Sequence, residues 1–541
     1  MTEPAKPSAF APFRERAFVL LWSAALIANI GTWFRDVANG WTMTELAPSP
    51  IMVALVQAAT TLPVFLLSLP AGALADIVDR RRMLLVIQAL LILVSIGLAL
   101  AASMGIMTPA LLLALTIAGG ICAAMMGPPW QSIVPELVPK PLLRPAVALN
   151  SLGINLARAI GPAIGGVIVA TAGAAVAYWI DAASYLLVIV ALLLWKRAPA
   201  PVDLAPERFL PAMATGVGYV WRSADVKRAL VRSGAFFLFA SAYWALLPLV
   251  ARQELGGGAG LYGAMLASIG AGAVTGALLL PRMKLRSDVL VLGGTLATSA
   301  AMTALALSRE PGVAIAALFV AGAAWIAVLT TLNVTTQSVL PNWVRARGLA
   351  VYITVFFGAM TAGSAIWGVV ANEIGIGLAL TSAAVGGAAI GVVAMLVPLP
   401  RGEADLTPSM HWPEPAVAGD IPGERGPVMI QIVYRVAEQD RTAFLTALAT
   451  LADQRLRDGG FGWRVFEDAE DPQRFTEIFF APSWLDHLRQ HERVTKADQA
   501  VQDAVNRFHM GPDSPSVSHH LAASPDDTPA RALPQAHRNL P

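Results

Sequence analysis

The stretch GALADIVDRRRML, residues 72–84, closes a run of apolar residues with two aspartates and three consecutive arginines. A second stretch, GALLLPRMKLRSDVL, begins 204 positions further on and has the same small-residue start and basic end. A further pair, QSIVPELVP at 131–139 and QSVLPNWVR at 337–345, is separated by 206 positions. Two matches at nearly one offset predict a chain built from two related halves.

The composition indicates that these halves lie in a membrane. Of 541 residues, 56% are hydrophobic and 14% are charged, with a mean hydropathy of +0.61. Soluble domains carry about a quarter charged residues, so we predict a polytopic membrane protein in contact with the lipid bilayer. The net charge of +2 gives no indication of nucleic-acid binding. The single cysteine, Cys122, excludes an intrachain disulfide and a thiolate metal cluster. Residues 1–16 lack the features of a cleaved signal peptide.

Twelve apolar segments reach the length that a spanning helix needs. The two halves are residues 1–195 and 229–397, with six segments each, and 196–228 forms a basic linker with an amphipathic helix on the membrane surface. Lysine and arginine are concentrated in alternate loops, which places both termini in the cytoplasm by the positive-inside rule. The predicted segments are 17–43, 51–75, 83–104, 108–130, 145–170, 174–195, 229–253, 260–281, 288–308, 312–338, 348–371 and 374–397.

The composition changes after Pro398. Residues 398–427 are rich in proline and glycine and form a predicted linker. Residues 428–523 alternate strand and helix patterns in the order βαββαβ, which predicts a soluble ferredoxin-like α+β domain in the cytoplasm. Residues 524–541 are polar and proline-rich, and we predict that they are disordered. The fold class is therefore an all-α membrane protein of two six-helix repeats followed by an α+β domain.

The opening stretch resembles the signature between helices two and three of the major facilitator superfamily. The positions that match are Gly72, Leu74, Asp76, Arg80 and Arg81, while Asp79 replaces the family's second glycine. The resemblance implies a latch in which an aspartate at a helix end faces the N-terminus of a helix from the other half. Such a latch forms in one conformation and breaks in the other, which biases alternating access.

Further stretches resemble the branch that contains the enterobactin exporter and related bacterial permeases. They are PPWQSIVPELVP, AYWALLPLVAR, HWPEP and HLRQHERVT, and the similarity extends from about residue 10 to 522. The resemblance implies an inner-membrane exporter of small molecules such as drugs, siderophores or metabolites, driven by proton antiport. Many members carry a similar soluble extension. The alternatives are a transporter-like receptor or sensor, and a permease fused to a ligand-binding or enzymatic domain.

The fifth segment contains NLARAIGPAIGG, residues 155–166, which resembles the antiporter motif of this superfamily. The matching residues are Gly161, Pro162, Gly165 and Gly166, whereas alanine replaces the family's two upstream glycines. Proline removes a backbone hydrogen bond, and glycines allow close packing, so the resemblance implies a bent, tightly packed helix. Ordinary small-residue packing without any role in coupling is the alternative.

Four charged residues lie within the predicted segments of the first half, namely Arg35, Asp36, Arg158 and Asp181. A charge near the bilayer centre costs about 3 kcal/mol, so Arg158 is expected to pair with Asp36 or Asp181. We predict that making and breaking this pair couples transport to protons. A static pair that only fixes helix packing is the alternative. The fourth segment lacks the arginine that many proton-driven relatives carry there.

The second half has few charges within its segments, which favours an apolar cavity for amphiphilic substrates. Several aromatic and amide residues are candidates to line it, although most such residues pack between helices or at the membrane interface. The candidates are Tyr243, Trp244, Trp325, Asn333, Phe356, Phe357 and Trp367.

The soluble extension contains His487 and His491, four positions apart on a predicted helix, with His509 further on. Such a pair is a weak metal-site candidate, because metal sites need three or four ligands. A solvated helix face is the competing interpretation. We therefore predict no metal, no cofactor and no enzymatic activity, and expect a regulatory or dimerising role for this domain.

Overall fold

The computed structural model describes residues 8–195, 209–401, 404–409, 411, 412, 415, 417 and 421–523. The side chains at 72, 73, 75–77 and 209–215 are not among those described. The predicted disorder at 524–541 and most of the loop before the amphipathic helix fall outside these residues.

The described part of the chain contains twelve helices that are long and apolar enough to span a membrane. The predicted fold class is therefore confirmed. The spanning helices are α1 (Arg16–Leu46), α2 (Pro50–Ile77), α3 (Arg80–Ser103), α4 (Pro109–Ile133), α5 (Leu143–Ala172), α6 (Ala174–Leu194), α8 (Ala224–Leu249), α9 (Ala259–Leu279), α10 (Ser287–Leu307), α11 (Pro311–Ser338), α12 (Arg345–Ile374) and α13 (Ile376–Val393), with the shorter helix α7 (Phe209–Arg222) between the halves.

Local sequence explains several helix ends. Gly173 separates α5 from α6 with a φ of +83°, and Gly375 separates α12 from α13 with a φ of +88°. Only glycine adopts this conformation without strain, so the two halves repeat the same turn. Asp79, which stands where the family signature has glycine, accepts a hydrogen bond from the Arg82 N–H at 2.8 Å and caps α3.

The chain forms two compact units. The first consists of Met1–Ala205, Arg228–Thr335 and Ala350–Leu399, and it contains most of the spanning helices. Within it, α1 packs against α5 and α6, α2 packs against α4, and α5 packs against α9 of the second half. The contact between α5 and α9 therefore joins the two halves.

The second unit consists of Pro206–Lys227, Thr336–Leu349 and Pro400–Pro541. We call Thr336–Leu349 the connector, because it joins α11 to α12. The predicted division of the chain did not separate the connector from the second half. Its grouping with the soluble extension is a feature that only the structure reveals.

The soluble extension, called the tail domain below, is a four-stranded antiparallel sheet with helices. Its elements are β1 (Val428–Arg435), α14 (Arg441–Arg457), β2 (Phe461–Glu467), β3 (Arg474–Ala481), α15 (Trp484–Arg493), α16 (Lys496–Asn506) and β4 (Ser516–Leu521). The strand order is β2-β3-β1-β4, as the predicted βαββαβ pattern requires. Strand β1 buries alternate residues, which pack with Phe444 and Leu448 of α14 in the core.

Helix α7 packs within the second unit. Tyr219 is 3% exposed, and the Arg457 guanidinium lies 5.1 Å from its ring centroid. The Arg222 side chain donates a hydrogen bond to the Leu456 carbonyl at 3.2 Å. The prediction placed the apolar face of this helix on the membrane surface. At Tyr219 the helix packs against the tail domain, where the Arg457 guanidinium stacks on the ring. The position of the helix on the membrane surface stays a prediction.

Candidate functional site

Arg35 lies in the middle of α1 and is 7% exposed. Its Nη1 donates to Asp181 Oδ2 at 3.3 Å and to Tyr185 Oη at 2.9 Å, so both partners come from α6. Thr32 Oγ1 lies 2.9 Å from the same tyrosine oxygen. A buried guanidinium needs hydrogen-bonded anionic partners, and α6 supplies them here.

Asp181 is fully buried, with 0% exposure. Its Oδ2 also accepts a hydrogen bond from Ser95 Oγ of α3 at 2.6 Å. Its Oδ1 has no hydrogen-bond partner among the described residues. Close approach of α1 and α6 at this level depends on Gly31, where a Cβ would lie 2.5 Å from Ser184 Oγ. The carboxylate is thus enclosed and half-satisfied, which is costly for a charged group.

Asp36 is the second acid beside Arg35, and its side chain is 35% exposed. One of its oxygens lies 3.8 Å from Arg35 Nε. Arg35 therefore lies between an enclosed carboxylate and a more accessible one. We call Arg35, Asp36 and Asp181 the charge cluster. With all three ionised it carries one positive and two negative charges, so it attracts one further cation or proton.

The prediction that Arg158 pairs with Asp36 or Asp181 was wrong. Arg158 is half-buried on α5, and no carboxylate of the described residues lies within 4.0 Å of it. The face of α5 that packs on α1 carries Gly161 and Gly165, in register with the buried Ala157. One residue further along a helix is rotated by about 100°, so Arg158 does not point at α1. The acids pair with Arg35 instead.

Helix α4 has no arginine, but the Arg35 side chain of α1 lies beside it. A Cβ at Gly119 of α4 would lie 3.9 Å from Cζ of Arg35. The guanidinium of Arg35 therefore lies close to α4. This proximity could not be predicted, because Arg35 and Gly119 are remote along the chain.

The small residues of α5 pack against two helices. A Cβ at Gly161 would lie 2.7 Å from the Trp33 Cβ, and one at Gly165 would lie 3.1 Å from the Phe34 backbone. At Gly166 a Cβ would lie 2.5 Å from Cα of Gly263 in α9. Pro162 lies inside α5, which remains one helix. Close packing at this motif is thus observed, whereas its role in coupling stays a prediction.

Five of the aromatic candidates of the second half form one cluster around Trp325. The ring of Trp325 lies 6.2 Å from Tyr243, 5.6 Å from Trp244 and 6.2 Å from Phe356 by centroids. Phe357 joins through an edge contact of 4.7 Å with Phe356. Two further members, Phe236 and Phe237, were not predicted.

The remaining two cavity candidates differ from this cluster. Trp367 donates from Nε1 to the Leu238 carbonyl at 2.9 Å and packs on Phe239, so it joins α12 to α8. Asn333 of α11 is half-buried. Whether any of the seven candidates contacts a substrate stays a prediction.

The latch signature is only partly described. Arg80 donates to Glu136 at 3.0 Å, and Arg81 donates to the Leu192 carbonyl at 2.7 Å near the end of α6. Leu74 is 39% exposed. The side chains at Gly72 and Asp76 lie outside the described residues, so the partner of the aspartate stays a prediction.

Sequence reasoning missed a buried ion pair in the second half. Arg232 of α8 and Asp288 of α10 lie 2.9 Å apart and are 6% exposed each. The same arginine also donates to the Val397 carbonyl at 2.9 Å, and the Leu399 N–H donates to Asp288 at 2.9 Å. This pair ties the end of α13 to two other helices. The sequence did contain an indication of this pair, because a charged residue within or at the edge of an apolar segment needs a partner, and both Arg232 and Asp288 have such positions.

The histidines of the tail domain differ in their exposure to solvent, and they do not share one solvated helix face. His487 is 1% exposed, whereas His491 is half-buried. A third histidine, His519 of β4, joins them and was not predicted. His509 lies apart, and its Nδ1 accepts a hydrogen bond from the Arg435 N–H. The interpretation as a solvated face was therefore wrong for His487, whose ring is enclosed by α15 and β4.

Comparisons with known proteins extend this picture. A model of the family described as transmembrane secretion effector matches residues 7–526. The staphyloferrin A transporter of Staphylococcus aureus is 26% identical over 266 residues, which cover 48% of this chain and 66% of that protein. The multidrug efflux pump Tap of Mycobacterium tuberculosis is 30% identical over 38% of this chain and 51% of its own length. The enterobactin exporter of Salmonella paratyphi A is 25% identical over 72% of this chain and 92% of that protein.

The match therefore spans less than two thirds of the first relative and about half of the second. Among solved structures, a POT family transporter in complex with 5-aminolevulinic acid superposes with a TM-score of 0.59 at 13% identity. That superposition covers 72% of this chain and 97% of the other. At this identity the likeness concerns the fold alone.

Proposed function

Because the chain belongs to the transmembrane secretion effector family of the major facilitator superfamily, we propose that it is a secondary-active exporter of small amphiphilic molecules. It acts as a multi-pass protein of the bacterial inner membrane, with both termini in the cytoplasm. The basic loops support this orientation through the positive-inside rule. It is a transporter rather than an enzyme.

The substrate class follows from the relatives and the aromatic cluster. The relatives include transporters named for siderophores and for multiple drugs. The cluster around Trp325 offers aromatic faces, which bind apolar rings and cations. Drugs, siderophores and amphiphilic metabolites share this combination of apolar surface and a few polar groups.

Proton coupling is carried by the charge cluster. Asp181 is fully buried, has one oxygen without a partner among the described residues, and shares Arg35 with the more accessible Asp36. When a proton binds to one carboxylate, the guanidinium is released toward the other. Movement of Arg35 between the two acids then links proton entry at Asp36 to a change in the packing of α1 on α6.

Alternating access uses the contact between the halves. The glycines at 166 and 263 let α5 and α9 approach closely, and this contact has to separate when the other end of the bundle closes. In this proposal the latch closes the opposite end of the bundle when the contact between α5 and α9 separates. Its residues are Gly72, Leu74, Asp76, Arg80 and Arg81, and Arg81 attaches it to the end of α6. The tail domain has a regulatory or dimerising role.

The test is efflux from cells and from inverted membrane vesicles energised with a proton gradient. Ethidium and a catecholate siderophore serve as probes, and a protonophore should abolish transport of whichever is exported. Asp36→Asn and Asp181→Asn should lose gradient-driven efflux. The matched control is Asp288→Asn, which removes the carboxylate of the other buried ion pair.

Two outcomes would contradict the proposal. Full proton-driven efflux in both cluster variants would exclude the coupling role, while leaving export itself intact. Absence of efflux for a broad panel of compounds, with the protein correctly inserted, would favour a receptor or sensor. Thermal melting of the purified variants separates lost coupling from lost folding.

A further inference from the structure

Three histidines converge at one place in the tail domain. His487 and His491 lie one turn apart on α15, and His519 comes from β4. One ligand nitrogen from each lies within 4.8 Å of the other two. The Nε2 atoms of His487 and His491 are 3.3 Å apart. In a tetrahedral zinc site with Zn–N bonds of about 2.0–2.1 Å, two ligand atoms lie about 3.3–3.4 Å apart.

The burial of His487 requires an explanation. Its side chain is 1% exposed, and its Nδ1 has no hydrogen-bond partner in the described part of the chain. Its Nε2 lies 3.3 Å from Nε2 of His491, and the His519 ring is 4.7 Å away by centroids. Buried polar atoms are almost always paired, so a buried imidazole with an unpaired Nδ1 is an exception that requires a reason.

Burial lowers the pKa of each of the three rings. Burial, together with the neighbouring rings of His519 and His491, lowers the pKa of His487 to about 3. Burial also lowers the pKa of His491 to about 4, with contributions from His519, Arg455 and His411. The pKa of His519 is lowered by burial and by His520.

We propose that the tail domain binds a divalent transition-metal ion through His487, His491 and His519, and that Zn²⁺ fits this ligand set. Three imidazoles suit zinc and its neighbours better than calcium or magnesium, which take oxygen ligands. Three protein ligands leave a fourth position open for water or another ligand. The ion would join α15 to β4 and thereby fix the last strand of the sheet.

Two tryptophans next to the histidines provide a fluorescence signal that reports metal binding. The ring of Trp412 lies 5.0 Å from His491 in an edge arrangement, and Trp484 lies 5.5 Å from His487. A paramagnetic ion bound between the histidines should therefore quench tryptophan fluorescence. Co²⁺ is suitable, because it also absorbs visible light with characteristic intensity when four ligands surround it tetrahedrally.

The experiment uses the full chain, purified in detergent and treated with a chelator. Titration with Zn²⁺ should show about one ion per chain with micromolar or tighter affinity. Co²⁺ should give tetrahedral absorption bands and quench fluorescence, and Zn²⁺ should reverse both effects by displacement. A wild-type protein that binds neither ion would overturn the proposal.

Variants at the half-buried histidines avoid the enclosed one. His491→Gln and His519→Gln should each weaken Zn²⁺ binding by about a hundredfold or more. His520→Gln is the matched control, because this exposed histidine is the next residue of the same strand. Near-ultraviolet circular dichroism without metal checks that each variant is folded. Unchanged binding in folded His519→Gln, or equal loss in His520→Gln, would contradict the assignment.

Discussion

At the scale of single residues, the main observation is that one arginine serves two acids. Asp181 takes the hydrogen bonds of Arg35 and Ser95 on one oxygen, and its other oxygen has none among the described residues. Tyr185, which lies on the same helix as Asp181, accepts a further hydrogen bond from the Arg35 guanidinium. Because a buried charge is stable only with hydrogen-bonded partners, each polar neighbour should contribute measurably to stability and to transport.

Tyr185→Phe tests this expectation. The change removes an oxygen that accepts from Arg35 at 2.9 Å and contacts Thr32 at 2.9 Å. A hydrogen bond to a charged group contributes about 1.5–3 kcal/mol, so we expect a loss of about 2 kcal/mol in unfolding free energy. Thermal melting in detergent measures this loss, and gradient-driven efflux should fall in parallel.

Tyr178→Phe is the matched control for that variant. Tyr178 is also fully buried on α6, but its hydroxyl has no hydrogen-bond partner among the described residues. Removing an unpaired buried hydroxyl is close to neutral or stabilising. Equal melting temperatures for the two variants would show that the contact between Arg35 and Tyr185 contributes nothing.

At the scale of helices, α5 is a surface made for close approach. Its glycines contact α1 at 161 and 165 and α9 at 166, so one helix bridges two halves of the molecule. Replacing one of these glycines with alanine adds a methyl group at the contact and forces the two helix backbones apart. Overpacking of this kind typically costs about 1–3 kcal/mol.

Gly166→Ala should open the end of the bundle at which α5 meets α9. A Cβ there would lie 2.5 Å from Cα of Gly263, so the two helices have to separate. A reporter is available because Ser49 and Asn372, at the ends of α2 and α12, lie 3.0 Å apart. In a Cys122→Ser background, the yield of a cross-link between Ser49→Cys and Asn372→Cys should fall.

The control for this effect is Gly293→Ala on α10. A Cβ at Gly293 would meet no atom within 4 Å. Alanine is more favourable than glycine in a helix by roughly 0.5–1 kcal/mol, so cross-linking should be unchanged and stability slightly higher. An unchanged cross-link in Gly166→Ala would mean that α5 and α9 adapt without separating.

The spanning helices were predictable because each needs about twenty apolar residues, a local property of the sequence. The pairing of charges was not, because it depends on helix rotation and on contacts between remote residues. Arg158 was assigned a carboxylate that instead pairs with Arg35, since neither hydropathy nor spacing reports which face of α5 meets α1. Five members of the aromatic cluster had been named as cavity candidates, but their grouping around Trp325 was not predicted, because it too depends on contacts between remote residues.

The third histidine was within reach of sequence reasoning. Side chains alternate along a strand, so His519 and His520 point to opposite faces of β4. In the register with β1, His519 lies opposite Ile430, and it is half-buried whereas His520 is exposed. The helix that carries the other two histidines was predicted, but its position on the sheet was not.

At the scale of the whole molecule, the second unit combines three separate parts of the chain. Trp343 of the connector contacts the Arg493 guanidinium at 4.6 Å and the Tyr219 ring at 5.6 Å by centroids. Tyr219 in turn stacks with Arg457. The connector joins α11 to α12, and α7 leads directly into α8. The tail domain is therefore attached to the chain at both of these places, in addition to its own linker.

Trp343→Ala should loosen this unit without unfolding it. The ring makes one cation–π contact and one aromatic contact, together worth about 1–3 kcal/mol. Local opening should become about ten- to a hundredfold more frequent, so amide exchange in the described part of α7 and at the end of α15 should accelerate by that factor. Trp221→Ala is the matched control, because Trp221 of α7 is 76% exposed. Equal exchange in both variants would mean that Trp343 does not hold α7 to the tail domain.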